Sequence, residues 1–191
     1  TVGPGVTLAP GDRFVSPRVF ELLYESTDRE RRGLAQRRMY RTIAPWVQEN
    51  PLIFHVGSAE PAAVRAAIDQ AAEVGFELVI MTFGSGFNIE RTDAAYRAQL
   101  KELADYAHSK GVALGGYSLL ASRSIDAAND VVNPATGKPG GFAVFGNSPC
   151  LGSPWGERYF ETLREAFEST GLDVLEHDGS YPGDPCASTR H

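Results

Sequence analysis

Residues 51–83, PLIFHVGSAEPAAVRAAIDQAAEVGFELVIMTF, decide the fold class of this chain. The stretch begins with the apolar run Leu52–Val56, which is typical of a buried strand. A helix is predicted from Pro61 to Val74, because apolar residues recur there every three or four positions and Gly75 offers a stop. The apolar run Leu78–Met81 predicts a second strand. Strand, helix and strand in this order form the unit of a parallel sheet.

The same alternation continues along the rest of the chain. The sequence predicts a helix at 92–110, a third strand at 112–117, a helix that begins at Ser153-Pro154, and a fourth strand at 172–175. The Gly-, Pro- and Asn-rich excursion 119–152 is long, and loops of that length commonly build a site or are disordered. We expect an α/β fold with a parallel sheet, either a closed barrel or an open doubly wound sheet. The first strand lacks a Gly-x-Gly-x-x-Gly loop, which disfavours the open nucleotide-binding form.

Composition narrows the classes of function. The 191 residues are 42% hydrophobic, enough for a globular core. A net charge of −6, from 18 basic and 24 acidic side chains, argues against nucleic acid or an anionic membrane as partner. No apolar run reaches the roughly eighteen residues that a membrane span needs. The chain starts without Met or a signal-like segment and stops without a closing element, so we expect a segment of a longer protein, whose compartment stays open.

The opening, residues 1–26, differs from the repeating part. Short apolar runs at 6–8, 14–15 and 19–24 flank turn residues, including Pro10-Gly11-Asp12. This pattern predicts short antiparallel strands. They are too few for an independent sandwich, so we interpret 1–26 as the end of an N-terminal β-sandwich domain.

A helical segment follows the opening. Residues 27–50 are predicted to hold a solvated, ion-paired linker helix that Thr27 caps. Its arginines could also suggest phosphate binding, although acidic neighbours and interleaved apolar residues favour the linker. Residues 51–191 then carry the strand–helix units.

Two acidic residues, Glu176 and Asp178, follow the fourth apolar run. Reactive groups of a parallel barrel lie where strands end, at the C-terminal face. Because alternate residues of a strand point the same way, Glu176 and Asp178 are expected on one side and His177 on the other. Asp178 is therefore a candidate nucleophile, or a loop cap, since His-Asp-Gly favours turns. A metal cluster of His55, His177, Asp178 and Asp184 lacks compact ligand spacing, and we predict no metal site.

The two cysteines, Cys150 and Cys186, flank the fourth strand. They are either two unrelated buried thiols or a disulfide between the loops after strands three and four. The second alternative would imply an oxidising compartment.

Three parts of the chain carry a resemblance to a known group of enzymes. They are residues 100–118 (LKELADYAHSKGVALGGYS), residues 172–178 (LDVLEHD), and the opening LAPGDRF at 8–14, which leads through an arginine-rich helix to Glu49-Asn50-Pro51. The first resembles the second helix and third strand of the α-galactosidase, or melibiase-like, clan of glycoside hydrolases. The second is similar to the clan's fourth strand, which ends in the nucleophile. The third resembles the passage from β-sandwich to barrel in family thirty-six.

The resemblance implies a (β/α)8 TIM barrel, of which 51–191 would be the first four β/α units. It implies a retaining glycoside hydrolase acting on α-glycosides, with Asp178 as nucleophile and the acid/base residue outside this chain. The partner would be a carbohydrate, and no cofactor is needed for that chemistry. The remainder of the barrel would belong to the full-length chain, so this segment alone would be inactive.

The chain departs from the clan at two places. The end of strand two reads Met81-Thr82-Phe83, where the clan has a pair of aspartates, and Glu176 stands where the clan has lysine. A plain D-galactose pocket is therefore not expected. The missing acids leave a non-catalytic carbohydrate-binding barrel as the alternative. A barrel lyase or isomerase is a further rival.

Several residues are candidate substrate contacts. His55 and Thr82 end strands one and two, and Tyr117 and Trp155 offer aromatic faces for a sugar. Three of the candidates have an alternative role: His55 as a core histidine, Glu176 as a partner of a neighbouring strand rather than a pocket residue, and Trp155 as a packing residue at a helix start. Tyr181 and Asp184 lie in the loop beyond the nucleophile candidate and could shape the pocket.

Overall fold

The computed structural model describes residues 6–16, 18–46, 51–140, 147–178 and 184–191. The chain divides into two compact units, residues 1–49 and 50–191. The division coincides with the change from the opening and its helix to the strand–helix repeats.

The first unit contains the helix α1 (Arg29–Ile43). Its N-cap is Asp28, whose side chain accepts a hydrogen bond from the backbone N–H of Arg31, whereas the sequence predicted Thr27 as the cap. An aspartate at this position satisfies an otherwise unpaired donor of the first turn. No residue of α1 is buried, as expected for a solvated helix.

The strands predicted in the opening are not present in its described residues, 6–16 and 18–26. Their apolar side chains are exposed instead, including Val15, Val19 and Leu23. An isolated short strand has no partner for its backbone groups and is not stable alone. The β-sandwich interpretation of 1–26 therefore remains a prediction.

The second unit repeats strand and helix four times. In chain order its elements are β1 (Ile53–Val56), α2 (Pro61–Val74), β2 (Leu78–Met81), α3 (Ala94–Ser109), β3 (Ala113–Leu119), α4 (Pro154–Thr170) and β4 (Val174–Asp178). The strands form one parallel sheet in the order β1-β2-β3-β4. The predicted parallel α/β fold is confirmed.

The helices cover one face of this sheet. Val79, Met81 and Leu114 point from the strands into a core that they share with Ile68 of α2 and Leu103 of α3. Each fully buried aliphatic side chain of this kind stabilises the fold by roughly 1.5–3 kcal/mol. Residues at the alternate strand positions face the opposite side, which α2, α3 and α4 leave uncovered.

Two glycines in β3 allow close packing against its neighbours. A Cβ on Gly115 would collide with the carbonyl oxygen of Val174 in β4, and one on Gly116 would collide with the ring of Phe87. The strand can therefore hold no larger residue at either position without moving β4 or the loop after β2. The Gly115-Gly116 pair thus fixes how β3 sits between β4 and that loop.

The ends of β3 and β4 differ from the predicted ones. The fourth strand includes Glu176, His177 and Asp178, which the sequence placed just after it, and β3 continues through Leu119. The extension follows from pairing, because Tyr117 pairs with Glu176 and Leu119 with Asp178 in the parallel ladder. Polar side chains are accommodated here since the ladder needs only backbone groups.

Among the described residues, the helices are all too short or too polar to cross a lipid bilayer.

Candidate functional site

The helix-free face of the sheet gathers polar side chains from three of its strands. His55 of β1, Tyr117 of β3, and Glu176 and Asp178 of β4 all occupy positions that alternate with the core residues. Thr82 directly follows β2, where its N–H donates to the carbonyl of Val56 and extends the ladder. The predicted placement of Glu176 and Asp178 on one side of the strand thus agrees with the sheet's register.

The sheet is strongly curved toward this face. The Nε2 atom of His55 lies 3.4 Å from Oε2 of Glu176, although the two residues belong to the first and the fourth strand. In a flat sheet these strands would be about 14 Å apart, from three steps of about 4.8 Å, and their side chains would run parallel. The contact requires side chains that converge, as they do inside a closed barrel. We therefore call this face the concave face.

Asp178 is the last residue of β4 and is exposed on the concave face. The hydroxyl of Tyr117 donates a hydrogen bond to its Oδ2 atom. Its backbone carbonyl accepts from the N–H of Leu120, so the strand ladder holds the main chain in place. The carboxylate is thus oriented by a neighbouring strand and does not cap a turn through any described hydrogen bond.

Glu176 lies two residues before Asp178 in β4, on the same face of the sheet. Its Oε2 atom is buried and makes no hydrogen bond to the described residues, with His55 at 3.4 Å as its charged neighbour. A buried carboxylate oxygen without a donor is costly. This oxygen is accordingly a candidate acceptor for a ligand hydroxyl.

One aromatic residue at this site, Phe83, was not among the substrate contacts predicted from the sequence. It follows Thr82, is 66% exposed, and meets the ring of Tyr117 edge to face, with the ring centroids 5.3 Å apart. Phe83 and Tyr117 therefore form an aromatic wall next to Asp178. The signal was present in the sequence, since Phe83 comes immediately after the end of strand two.

Trp155 does not offer a platform. It is only 8% exposed, stacks on Tyr159 with ring centroids 4.9 Å apart, and has the guanidinium of Arg123 4.9 Å from its ring. Its position in the first turn of α4 directs it into a small core with Leu120. The sugar-stacking role predicted for Trp155 is corrected to packing.

His177 points to the helix-covered side, opposite Asp178. Its Nε2 atom lies 2.9 Å from the hydroxyl of Tyr159, which lies 2.6 Å from the hydroxyl of Ser118. Burial lowers the pKa of His177 below its ordinary value, and the charge of Arg123 lowers it further. A metal cluster of His177 with His55 and Asp178 cannot form, because the sheet separates them.

The remaining two candidates are in the segment after β4. Tyr181 lies outside the described residues. Asp184 is half-buried, with an Oδ2 atom that is buried and not hydrogen-bonded to any described residue. No described hydrogen bond or ion pair joins Asp184 to Asp178, so its place in the pocket remains a prediction.

Each of the two units has a cavity lined by described residues, and neither cavity includes Asp178 in its lining. One of about 510 Å³ runs along α1, and one of about 310 Å³ lies between Ala127 and Val132 of the excursion and Ala187 of the last segment. Asp178 itself faces the open side of the curved sheet.

The two cysteines are adjacent but free. Cys150 and Cys186 are not bonded to each other, so of the two alternatives that the sequence left open the disulfide is not formed in this structure. Their sulfurs and a ring nitrogen of His191 all lie within 4.8 Å of one another. Burial raises the pKa of Cys150. Burial also acts on Cys186, but the N–H groups of Val132 and Ser188 bind its sulfur, and its pKa is lowered on balance.

No protein-family model matches the chain, and no significant match is found among curated proteins. Solved structures do resemble it. An α-galactosidase of glycoside hydrolase family 36 from Geobacillus stearothermophilus, in complex with raffinose, is 15% identical with a TM-score of 0.47. A family 27 β-L-arabinopyranosidase from the same organism, in complex with arabinose, is also 15% identical with a TM-score of 0.47. A maltogenic α-amylase from Thermotoga neapolitana is 11% identical with a TM-score of 0.44.

Each of these matches covers only part of this chain and only part of the solved structure. They cover 67%, 70% and 68% of this chain but 21%, 41% and 39% of the solved chains, so the chain spans less than half the length of each. The solved structures that resemble the chain include enzymes of families 27 and 36, which belong to the α-galactosidase clan that the sequence resembles. A likeness of this degree does not decide the activity, which has to be argued from the chain's own residues.

Proposed function

We propose that this chain is part of a retaining glycoside hydrolase for α-glycosides, with Asp178 as the nucleophile. The observation that carries the proposal is an exposed carboxylate at the C-terminal end of β4, on the concave face, oriented by the Tyr117 hydroxyl. The C-terminal ends of parallel strands are where barrel enzymes hold their reactive groups.

The proposal extends to the architecture. The strand order β1-β2-β3-β4, the helices on one face and the curvature toward the other are those of half a closed (β/α)8 barrel. We therefore infer that residues 51–191 are its first four β/α units. Residues 27–50 would be the linker, and 1–26 the end of a β-sandwich domain. The other four units, and with them the acid/base residue, would lie elsewhere in the full-length protein.

The chemistry asks two things of Asp178. One carboxylate oxygen attacks the anomeric carbon as the glycosidic bond breaks, forming a glycosyl ester that water then hydrolyses. The hydrogen bond from Tyr117 to Oδ2 holds the carboxylate in one orientation and leaves Oδ1 to attack. The second carboxyl group of a retaining pair must come within about 5 Å of the first.

The rest of the concave face supplies substrate contacts. The Oε2 atom of Glu176 is buried and receives no hydrogen bond from the described residues, so it can accept a hydrogen bond from a sugar hydroxyl. His55 lies beside it as a second polar partner. Phe83 and Tyr117 present aromatic surface against which the apolar face of a pyranose ring can pack. Thr82 is a further hydroxyl at the end of β2.

A non-catalytic carbohydrate-binding barrel is the second candidate. The observation that favours it is the end of β2, where the exposed aromatic Phe83 follows Thr82 and no acid stands. A site that contacts a sugar through aromatic side chains and few charged groups can bind the sugar without hydrolysing it. In that case the site would hold a sugar, and Asp178 would only accept hydrogen bonds.

Turnover by the full-length protein separates the two candidates. Aryl α-glycosides should be hydrolysed, and Asp178→Ala should lower kcat by at least about a thousandfold, because the nucleophile is lost. Asp105→Asn, at an exposed carboxylate paired with Lys101 on α3, is the matched control and should keep full activity. A mechanism-based α-glycoside inhibitor should label a peptide at Asp178. Label at Glu176 would reassign the nucleophile, and sugar binding without turnover in the wild type would favour the binding barrel.

The Tyr117 hydrogen bond allows a finer test. Tyr117→Phe should lower kcat about 10- to 100-fold, since a hydrogen bond to a charged group contributes about 1.5–3 kcal/mol, while KM changes little. Tyr106→Phe removes the same kind of bond, to the exposed carboxylate of Asp69 on the helix-covered side, and should leave kcat unchanged. Equal effects of the two variants would contradict an orienting role for Tyr117.

A further inference from the structure

Three side chains with metal-binding atoms meet at the C-terminal edge of the sheet. Cys150 lies in the excursion between β3 and α4, while Cys186 and His191 lie in the segment after β4. We call Cys150, Cys186 and His191 the thiol–imidazole cluster. Within the described part of the chain, it is the one group of three or more such residues close enough together to share an ion.

The spacing of the cluster fits a tetrahedral zinc ion. Bonds of about 2.3 Å to sulfur and about 2.0 Å to nitrogen give a sulfur–nitrogen separation of about 3.6 Å and a sulfur–sulfur separation of about 3.8 Å. The Sγ atom of Cys186 and Nε2 of His191 are 3.7 Å apart, and all three ligand atoms lie within 4.8 Å of one another. Movements of about 1 Å or less would bring all three pairs of ligand atoms to the separations of a tetrahedral zinc site.

Surrounding groups already hold the ligands in place. The Nδ1 atom of His191 lies 3.2 Å from the hydroxyl of Ser188, an arrangement that directs the Nε2 lone pair toward the cluster when Nδ1 carries the proton. The N–H of Val132 donates to the Cys186 sulfur at 3.3 Å.

The backbone near the cluster is anchored as well. The N–H of Cys150 donates to the carbonyl of Asn129 at 2.8 Å, and the N–H of Ala187 donates to the carbonyl of Val132, also at 2.8 Å. Both ligand-bearing segments are thereby tied to the same part of the excursion, next to each other.

We propose that the thiol–imidazole cluster binds one zinc ion, which joins the excursion after β3 to the segment after β4. Two thiolates and an imidazole are soft and borderline ligands that favour Zn²⁺ over Mg²⁺ or Ca²⁺. Three protein ligands leave the fourth position of the tetrahedron for water or another side chain. The site would brace the loops that flank the end of β4, and it does not depend on the glycosidase proposal.

Metal content and cobalt spectra test the site. The full-length protein, without a polyhistidine tag and under reductant, should bind one Zn²⁺ that competes with Co²⁺ at the same place. Bound Co²⁺ should give the intense visible bands of tetrahedral coordination and a near-ultraviolet thiolate charge-transfer band. Cys150→Ser and Cys186→Ser should each abolish the charge-transfer intensity of a two-thiolate site. His191→Gln should weaken binding at least about tenfold, since even residues that only support a ligand contribute that much.

Two controls make the outcome decisive. Thr189→Ala, at an exposed position between Ser188 and His191, should leave affinity and spectra unchanged. If the full-length protein has further cysteines, the Cys150→Ser and Cys186→Ser differences isolate the contribution of this cluster. Absence of stoichiometric metal after full reduction would overturn the proposal. Affinity unaffected by His191→Gln would overturn it too, as would a Cys150–Cys186 disulfide that persists under reductant.

Discussion

At the scale of single residues, consecutive polar side chains of β4 lie on opposite faces of the sheet. Glu176 and Asp178 lie on the concave face, while His177 between them joins Tyr159 and Ser118 under α4. The separation follows from the two-residue period of a strand, so three consecutive polar residues can serve a site and a core at once. His177 is thus a structural residue next to the proposed nucleophile.

The position of His177 predicts a loss of stability in acid. Burial first, and the Arg123 charge second, lower the pKa of His177 below its value of 6.5 in the unfolded chain. Near this pH the unfolded state therefore binds more protons at His177 than the folded state does. For that reason the free energy of unfolding falls as the pH drops below about 6.5. His177→Gln keeps an acceptor for the Tyr159 hydroxyl but cannot titrate.

Thermal melts of the full-length protein at a series of pH values check this prediction. Between pH values of about 7.5 and 5.5, the Tm of the wild type should fall more steeply than that of His177→Gln. Above neutral pH the two curves should run parallel, which serves as the internal control. Parallel curves over the whole range would show that His177 does not contribute to the acid sensitivity.

At the scale of elements, the start of α4 is fixed by close contact with the loop before it. Ser153 caps the helix by accepting from the N–H of Gly156, and Pro154 follows at a position where its missing N–H costs nothing. A Cβ on Gly156 would collide with the carbonyl of Leu151. The glycine is therefore required by packing, although glycine is a poor helix former.

This contact reverses the usual effect of a glycine-to-alanine change in a helix. Gly156→Ala should lower the free energy of unfolding by about 1–3 kcal/mol through overpacking, despite the better helix propensity of alanine. Arg158→Ala, at an exposed position two residues on, should stay within about 0.5 kcal/mol of the wild type. Urea denaturation of both variants measures the difference. A stabilised Gly156→Ala would mean that the Leu151 loop moves aside freely.

The elements themselves were largely predictable from the sequence. The bounds of α2 and β2, and the start of α4 at Ser153-Pro154, agree with the structure, because periodic apolar residues, Gly75 and Ser153-Pro154 are local signals. The end of β4 was missed, because Glu176 to Asp178 join the strand through pairing with β3, which is a tertiary effect. Thr27 was predicted as the cap of α1 where Asp28 serves, because the two adjacent residues are both good capping residues.

The positions of site residues could be predicted where they lie on strands and could not be predicted where they lie in loops. His55, Tyr117, Glu176 and Asp178 share a face because the register of a parallel sheet is regular. The role of Trp155 stayed open because a helix start can turn its side chain either to solvent or to the core. The thiol–imidazole cluster joins residues from two loops, and His191 carries no spacing signal that links it to Cys150.

At the scale of the whole molecule, the four-stranded sheet of the second unit has unsatisfied edges. In the described chain, β1 and β4 each pair with a neighbouring strand on one side. The first strand also exposes Ile53, which is 43% accessible, and Leu52 before it is 59% accessible. Open edges with apolar side chains are templates for pairing with another chain.

We therefore expect the 191-residue chain by itself to associate. Sedimentation velocity should show dimers or larger species that grow with concentration, and heating should give a broad transition, because α2, α3 and α4 leave the concave face of the sheet uncovered and both of its edges are unpaired in the described chain. Ile53→Lys should reduce the association, since a charge on an edge strand opposes pairing, whereas Leu34→Lys on α1, which is 60% exposed and outside the sheet, should not. A monomer with a sharp, cooperative melt would contradict the half-barrel interpretation, because four strands would then suffice for an independent fold.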